Sequence, residues 1–315
     1  MKKNRLLKKI LWILTIILIL MNVVAYFHAY KFTHYTGSNV AKTNSKNLST
    51  LSKIKMLVFG IDNPRPKNNA IPGQKFEVIK LQSNKSIVCW HIKKDSSKGT
   101  VILFHGYGGE KSSLLEKSNE FIKQGYSTLL VDFMGSGDSE GNQTTMGFKE
   151  ADEVKTCFDF LTNGGEKNIY LFGTSLGAVA IMKCINEYKI TPKGIIIECP
   201  FGSMYQTTCA RFKIMKIPSF PMAGLLVFWG GIQNGFWAFA HNPTEYAKTI
   251  KCPTLLLYGE KDDRVSRQEI DEIYSNLNCK KTLKIYPLAG HENYLTTYRQ
   301  EWVQDIQTFM RTIEN

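Results

Sequence analysis

The apolar run Ile169-Tyr170-Leu171-Phe172 passes directly into Gly173-Thr174-Ser175-Leu176-Gly177 and on into a helix-forming segment. Few folds let a buried strand become a helix with no loop between them. The corner is so tight that glycines two before and two after the serine are needed to keep side chains out of it. A serine at the apex has strained backbone angles and an exposed hydroxyl. This G-x-S-x-G corner predicts a sheet whose strands feed helices, and it makes Ser175 a candidate nucleophile.

The flanking sequence keeps the same rhythm. Two alternating segments, 76–81 and 86–92, meet across Ser83-Asn84-Lys85 as a hairpin. Short apolar strands follow at 100–104, 127–132, 168–172, 194–199, 253–258 and 282–286. Helical segments at 112–124, 148–162, 176–188, 267–276 and 294–313 alternate with them. Strands apolar on both faces imply a mostly parallel sheet covered by helices on each side. Residues 200–249 break the pattern. They are too long for one crossover helix and rich in Phe, Trp and Leu, and they read as a lid over a site.

Net charge is +13, which could suggest nucleic acid, but its distribution argues against that reading. Twelve Lys and Arg against one acid fall in the first 67 residues, so that region carries +11 of the total. No nucleic-acid reader motif accompanies it. Residues 10–30 carry no Lys, Arg, Asp or Glu. As a helix they reach about 31 Å, enough to cross a bilayer's hydrocarbon core. Trp12 near one end and Tyr26, Phe27 and Tyr30 near the other resemble aromatic belts, and five cations in the first nine residues belong in the cytoplasm. The expected organisation is a cytoplasmic basic terminus at 1–9, a transmembrane helix at 10–30 and a polar stalk at 31–74. A short helix is expected near 47–58, and an extracytoplasmic folded domain follows at 75–315. The alternative is a cleaved signal peptide with Val23-Val24-Ala25 as its cleavage pattern.

The seven cysteines are scattered without C-x-x-C spacing, and an odd number cannot pair fully within the chain. They read as small buried hydrophobes with no metal or redox role. Gly135 and Gly137 imitate a phosphate loop, but the following spacing fails G-x-G-x-x-G. No close His, Cys and carboxylate spacing suggests a catalytic metal.

A serine hydroxyl needs a base within hydrogen-bond reach and an acid to hold that base. His291 follows the last strand, and Asp262 follows the strand Leu255-Leu256-Leu257-Tyr258. Both lie just beyond carboxyl ends of parallel strands, where open α/β sheets place their sites. Asp263 is the competing acid, and Glu198 is a weaker one. His105 reads as a brace for its loop.

Four motifs occur in order: Phe104-His105-Gly106-Tyr107-Gly108-Gly109, Asp132-Phe133-Met134-Gly135-Ser136-Gly137-Asp138-Ser139, the serine corner, and the Asp262 and His291 loops. Over residues 75–312 they resemble the α/β-hydrolase superfamily. Within it they are similar to the small-lidded serine hydrolases of the lysophospholipase, monoacylglycerol-lipase and depalmitoylase-like branches. The resemblance implies an eight-stranded, mostly parallel sheet, with Ser175 as nucleophile, His291 as base and then acid, and Asp262 as orienting carboxylate. It also implies an oxyanion hole made by the backbone N–H groups of Tyr107 and Leu176, and no cofactor. The expected activity is cleavage of carboxylic esters; the apolar insert points to an apolar acyl group and the anchor to a small or lipid-like substrate. Amide or thioester cleavage by the same groups, and a catalytically silent hydrophobic-ligand-binding protein, are the alternatives.

Overall fold

The computed structural model describes residues 2–37, 55, 56 and 58–314. Helix α1 (Lys2–Thr33) leads into β1 (Tyr35–Thr36), which pairs in parallel with β2 (Asn63–Pro64). The main sheet has eight strands: β3 (Glu77–Gln82), β4 (Ser86–Ile92), β5 (Thr100–Phe104), β6 (Ser127–Asp132), β7 (Ile169–Thr174), β8 (Gly194–Glu198), β9 (Thr254–Gly259) and β10 (Lys281–Tyr286). Their spatial order is β10-β9-β8-β7-β5-β6-β4-β3, antiparallel only at the β3–β4–β6 edge. The helices are α2 (Leu115–Lys123), α3 (Glu150–Asn163), α4 (Leu176–Tyr188), α5 (Met204–Ile214), α6 (Met222–Asn234), α7 (Pro243–Ala247), α8 (Arg267–Asn276), α9 (Tyr294–Thr297) and α10 (Arg299–Glu314).

Alternation along each strand divides the core into two apolar layers. In β5, Ile102 and Phe104 face a layer containing Val154, Val179 and Ile270 from α3, α4 and α8. Val101 and Leu103 face a layer containing Phe121 of α2 and Trp302, Ile306 and Phe309 of α10. Every residue of β5, β6 and β9 is buried, as expected for central parallel strands. This is the α/β-hydrolase fold, and its central strands end together at the edge that carries the serine corner.

The N-terminal region differs from a free anchor and stalk. Residues 4–20 of α1 are exposed on every side, but Ala25, Ala29 and Thr33, spaced by one helical turn, are buried. That end packs on α6, where Trp229 Nε1 donates to Asn22 Oδ1 at 3.1 Å and Gln233 Nε2 donates to the Tyr26 carbonyl at 2.8 Å. The expected stalk is docked at several of its described residues. Asn63 Nδ2 donates to the Lys31 carbonyl at 2.9 Å, and Gly137 N donates to the Pro66 carbonyl at 3.0 Å. The Arg65 guanidinium donates to the Gly137, Ser139 and Gly141 carbonyls. The turn after β6 leaves those carbonyls without ladder partners, and Arg65 supplies a fork of donors. The helix expected near 47–58 lies largely outside the described residues. The expected closing helix at 294–313 is broken at Tyr298, between α9 and α10.

Candidate active site

Ser175 links β7 to α4 with φ 53° and ψ −110°, a backbone conformation costly for any side-chain-bearing residue. The flanking glycines are required by space. A Cβ on Gly173 would sit 2.5 Å from the Gly177 carbonyl carbon, and one on Gly177 would sit 2.5 Å from the Phe104 carbonyl oxygen. The strain is held by Ser175 N donating to the Glu198 carbonyl at 2.8 Å on the neighbouring strand. Leu176 opens α4, so its N–H is among those that a helix start leaves without an intrahelical acceptor.

The loops after β9 and β10 bring the other two side chains to this corner. Lys261 N donates to the Ala289 carbonyl at 2.9 Å, sewing the loops together. Ser175 Oγ lies 3.0 Å from His291 Nε2, and His291 Nδ1 lies 2.7 Å from Asp262 Oδ2. Asp262 Oδ1 accepts from the backbone N–H groups of Arg264 at 2.8 Å and Val265 at 2.9 Å. With both oxygens engaged and its side chain fully buried, Asp262 is fixed in direction. That arrangement puts the imidazole proton on Nδ1 and leaves the Nε2 lone pair facing the serine hydroxyl. Asp263 is exposed, and the carboxylate that meets His291 is that of Asp262. Glu198 is committed to a separate buried network, accepting from Lys117 Nζ, Trp302 Nε1 at 2.8 Å and Thr174 Oγ1 at 2.8 Å.

Burial works against the charged form of His291, but the Cys199 sulfur and the Asp262 carboxylate outweigh it, and its pKa is raised. Cys199 ends β8 at φ 40° and is buried. Its sulfur and the ligand atoms of Asp262 and His291 lie within 4.8 Å of one another. A cation held by all three would compete with the His291–Asp262 hydrogen bond. His105 is buried with its pKa lowered by desolvation. Its Nδ1 donates to the Gly106 carbonyl at 2.8 Å, and its Nε2 accepts from Phe133 N at 3.1 Å, so it braces the loop carrying Tyr107.

A cavity of about 340 Å³ reaches Ser175 and His291 and is lined by Gly106, Tyr107, Cys199 and Phe201 among others. A larger one of about 1140 Å³ lies between α1 and the 200–249 insert. The two share Tyr107, Met146, Thr207, Arg211 and Arg264. The Tyr107 hydroxyl donates to the Phe32 carbonyl at 2.9 Å, and its ring stacks on Phe32 at 4.7 Å. Sequence reasoning singled out Ser175, Asp262, His291, Tyr107 and Leu176; it did not single out Cys199, Arg211, Arg264 or the approach of α1. None of these carries a local signal, since each is brought in by contacts between segments distant in sequence.

The family model for serine aminopeptidase S33 matches residues 95–234. Among curated proteins, the chain is 23% identical over 225 residues to the uncharacterized protein YqkD of Bacillus subtilis, covering 70% of this chain and 74% of that one. It is 26% identical over 189 residues to the lysophosphatidylserine lipase ABHD12 of Macaca fascicularis, covering 57% of this chain and 46% of that protein. Among solved structures, the Pyrococcus furiosus esterase Pf2001 superposes with a TM-score of 0.67 at 23% identity, covering 79% of this chain and 96% of that one. Fold, family model and relatives agree, and the chain is a hydrolase of the α/β-hydrolase superfamily.

Proposed function

We propose that the protein is a membrane-anchored serine hydrolase that cleaves carboxylic esters with an apolar acyl group. The observation that carries this reading is the continuous chain of hydrogen bonds from Ser175 Oγ through His291 to Asp262. In the proposed cycle His291 Nε2 takes the Ser175 proton as Oγ attacks the ester carbonyl. The N–H groups of Tyr107 and Leu176 hold the oxyanion, and each such donor supplies about 3–4 kcal/mol of transition-state stabilisation. His291 then protonates the departing alkoxide, leaving an acyl-Ser175 ester. Water, deprotonated by the same nitrogen, attacks that ester, and His291 returns the proton to Ser175 as the acid leaves.

The exposed apolar length of α1 supports anchoring, and the cations preceding it support a cytoplasmic N-terminus with the hydrolase domain on the other side. The names of the lipase and esterase relatives support an ester substrate. Cleavage of amides is a second reading, favoured by the aminopeptidase description of the matching family model. A fluorophosphonate probe should label the full-length protein and fail to label the Ser175→Ala variant. Rates on matched ester, thioester and amide substrates should then favour the ester. Unchanged labelling after Ser175→Ala would sink the assignment.

A further inference from the structure

The larger cavity joins two chemically different regions. At one end it is lined by Ile17 and Leu20, in the stretch of α1 that is exposed on every side. At the other it reaches Tyr107 and Met146, which also line the pocket of Ser175. Its volume of about 1140 Å³ exceeds the ~300–1,000 Å³ of ordinary small-molecule sites. One wall is α1, and the opposite wall is the insert, with Phe212, Leu226 and Val227.

Two cations stand at the junction with the serine pocket. The Arg211 guanidinium lies 4.7 Å over the Phe32 ring of α1, and Arg264 follows Asp262 by two residues. Burial lowers the pKa of Arg211, and the like charge of Arg264 adds to that effect. Asp263 also lines the cavity, yet among the described residues neither guanidinium makes an ion pair or a side-chain hydrogen bond. Glu292 lines the serine pocket beside them and Arg264 is exposed, so solvent screens the pair in part; with no carboxylate paired to either guanidinium, both can still bind a ligand anion.

We propose that this cavity holds the tail of a single-chain anionic amphiphile entering from the bilayer along α1, with Arg211 and Arg264 gripping its anionic group. The proposal rests on the ester-hydrolase reading and adds the charge of the substrate and its route. A tail between α1 and the insert, with a phosphate or carboxylate a few bonds from the ester, places the scissile carbonyl at Ser175. A neutral ester of the same chain length leaves both guanidinium groups unmatched.

Binding by the full-length Ser175→Ala protein tests this without turnover. In detergent micelles, a lysophosphatidate bearing a mid-chain diazirine is photolysed and its saturable crosslinks are mapped by mass spectrometry. Crosslinks are expected on the 17–24 stretch of α1 and on the 212–227 stretch of the insert. Unlabelled 1-oleoyl lysophosphatidate should compete about ten- to a hundredfold better than 1-oleoylglycerol, the range expected for hydrogen bonds to a charged group. In the Arg211→Gln, Arg264→Gln protein that ratio should fall toward one. Because the ratio is read within one protein, partial misfolding cancels. Leu20→Trp should weaken octadecanoyl competitors more than octanoyl ones. Equal competition by the two oleoyl lipids, an unchanged ratio in the double variant, or saturable crosslinks only elsewhere would overturn the proposal. Binding as expected in Ser175→Ala, with no hydrolysis of the same lipid by the wild-type protein, would instead count against the ester-hydrolase reading.

Discussion

Asp262 and Asp263 carry the same side chain at adjacent positions, and the sequence left both open as the acid beside His291. The backbone sets Asp262 against the imidazole. The turn after β9 aims the Arg264 and Val265 N–H groups back at Asp262 Oδ1, so that Oδ2 meets the imidazole. Direction at a turn depends on dihedral angles that residue type alone does not dictate. If Asp262 holds the imidazole tautomer, Asp262→Asn should lower kcat by about 10⁴-fold. Asp263→Asn leaves the bond to His291 in place and should escape that penalty. The pH profile carries a second check. In the proposed cycle the neutral imidazole is the base; its pKa is raised above 6.5, so kcat/KM should climb with pH along a limb centred above 6.5. Removing the carboxylate's pull in Asp262→Asn should move the residual limb to lower pH. A wild-type limb centred at or below 6.5 would contradict the electrostatic account of His291.

The strands, the crossover helices and the serine corner were legible because each rests on local chemistry: apolar runs of strand length, helical periodicity, and glycines that sterics demand. The placement of α1 was not legible. Its contacts join residues separated by about 75 positions in sequence at Phe32–Tyr107 and by 207 at Asn22–Trp229, and no periodicity reports such a pairing. Yet α1 and the strand β1 after it each reach the predicted oxyanion loop. The Tyr107 hydroxyl donates to the Phe32 carbonyl, and the Tyr35 hydroxyl accepts from Gly108 N at 3.2 Å. The end of the N-terminal helix and β1 therefore fix the loop that carries one of the two expected oxyanion donors. Tyr35→Phe would leave a partly buried N–H without its partner, at a cost of about 1–3 kcal/mol. The expected outcome is a fall in kcat with little change in KM, because the loop acts on the developing oxyanion more than on the bound ester. Steady-state kinetics on a short acyl ester measures the split, and a change confined to KM would count against this role.

On the scale of the whole molecule, the insert and α1 together present one apolar face. Residues 4–20 of α1 extend about 26 Å with their side chains exposed. Beside them, the end of α5 and the loop that joins it to α6 expose Ile214, Met215, Ile217 and Phe220, the last at 82%. Ile214, Met215 and Ile217 line the same cavity as Ile17 and Leu20, so loop and helix lie side by side. Solvated loops seldom carry so many large apolar side chains in a row, and a cluster of this kind marks a surface meant to be covered. Lys213 and Lys216 are interleaved with them and exposed. Long basic side chains of this kind can lay their stems along an apolar surface while their charges stay with lipid phosphates. On the proposed membrane-anchored reading, this geometry would seat the loop at the bilayer interface next to the helix. Burying a phenylalanine there contributes roughly 1.5–3 kcal/mol. Phe220→Glu removes that contribution and adds a charge. Hydrolysis of an acyl ester embedded in vesicles should then fall by about tenfold relative to hydrolysis of a soluble short-chain ester by the same preparation. The ratio is the informative quantity, because a general loss of folded protein lowers both rates together. If it stays at the wild-type value, the loop does not meet the membrane and α1 alone sets the distance between site and bilayer.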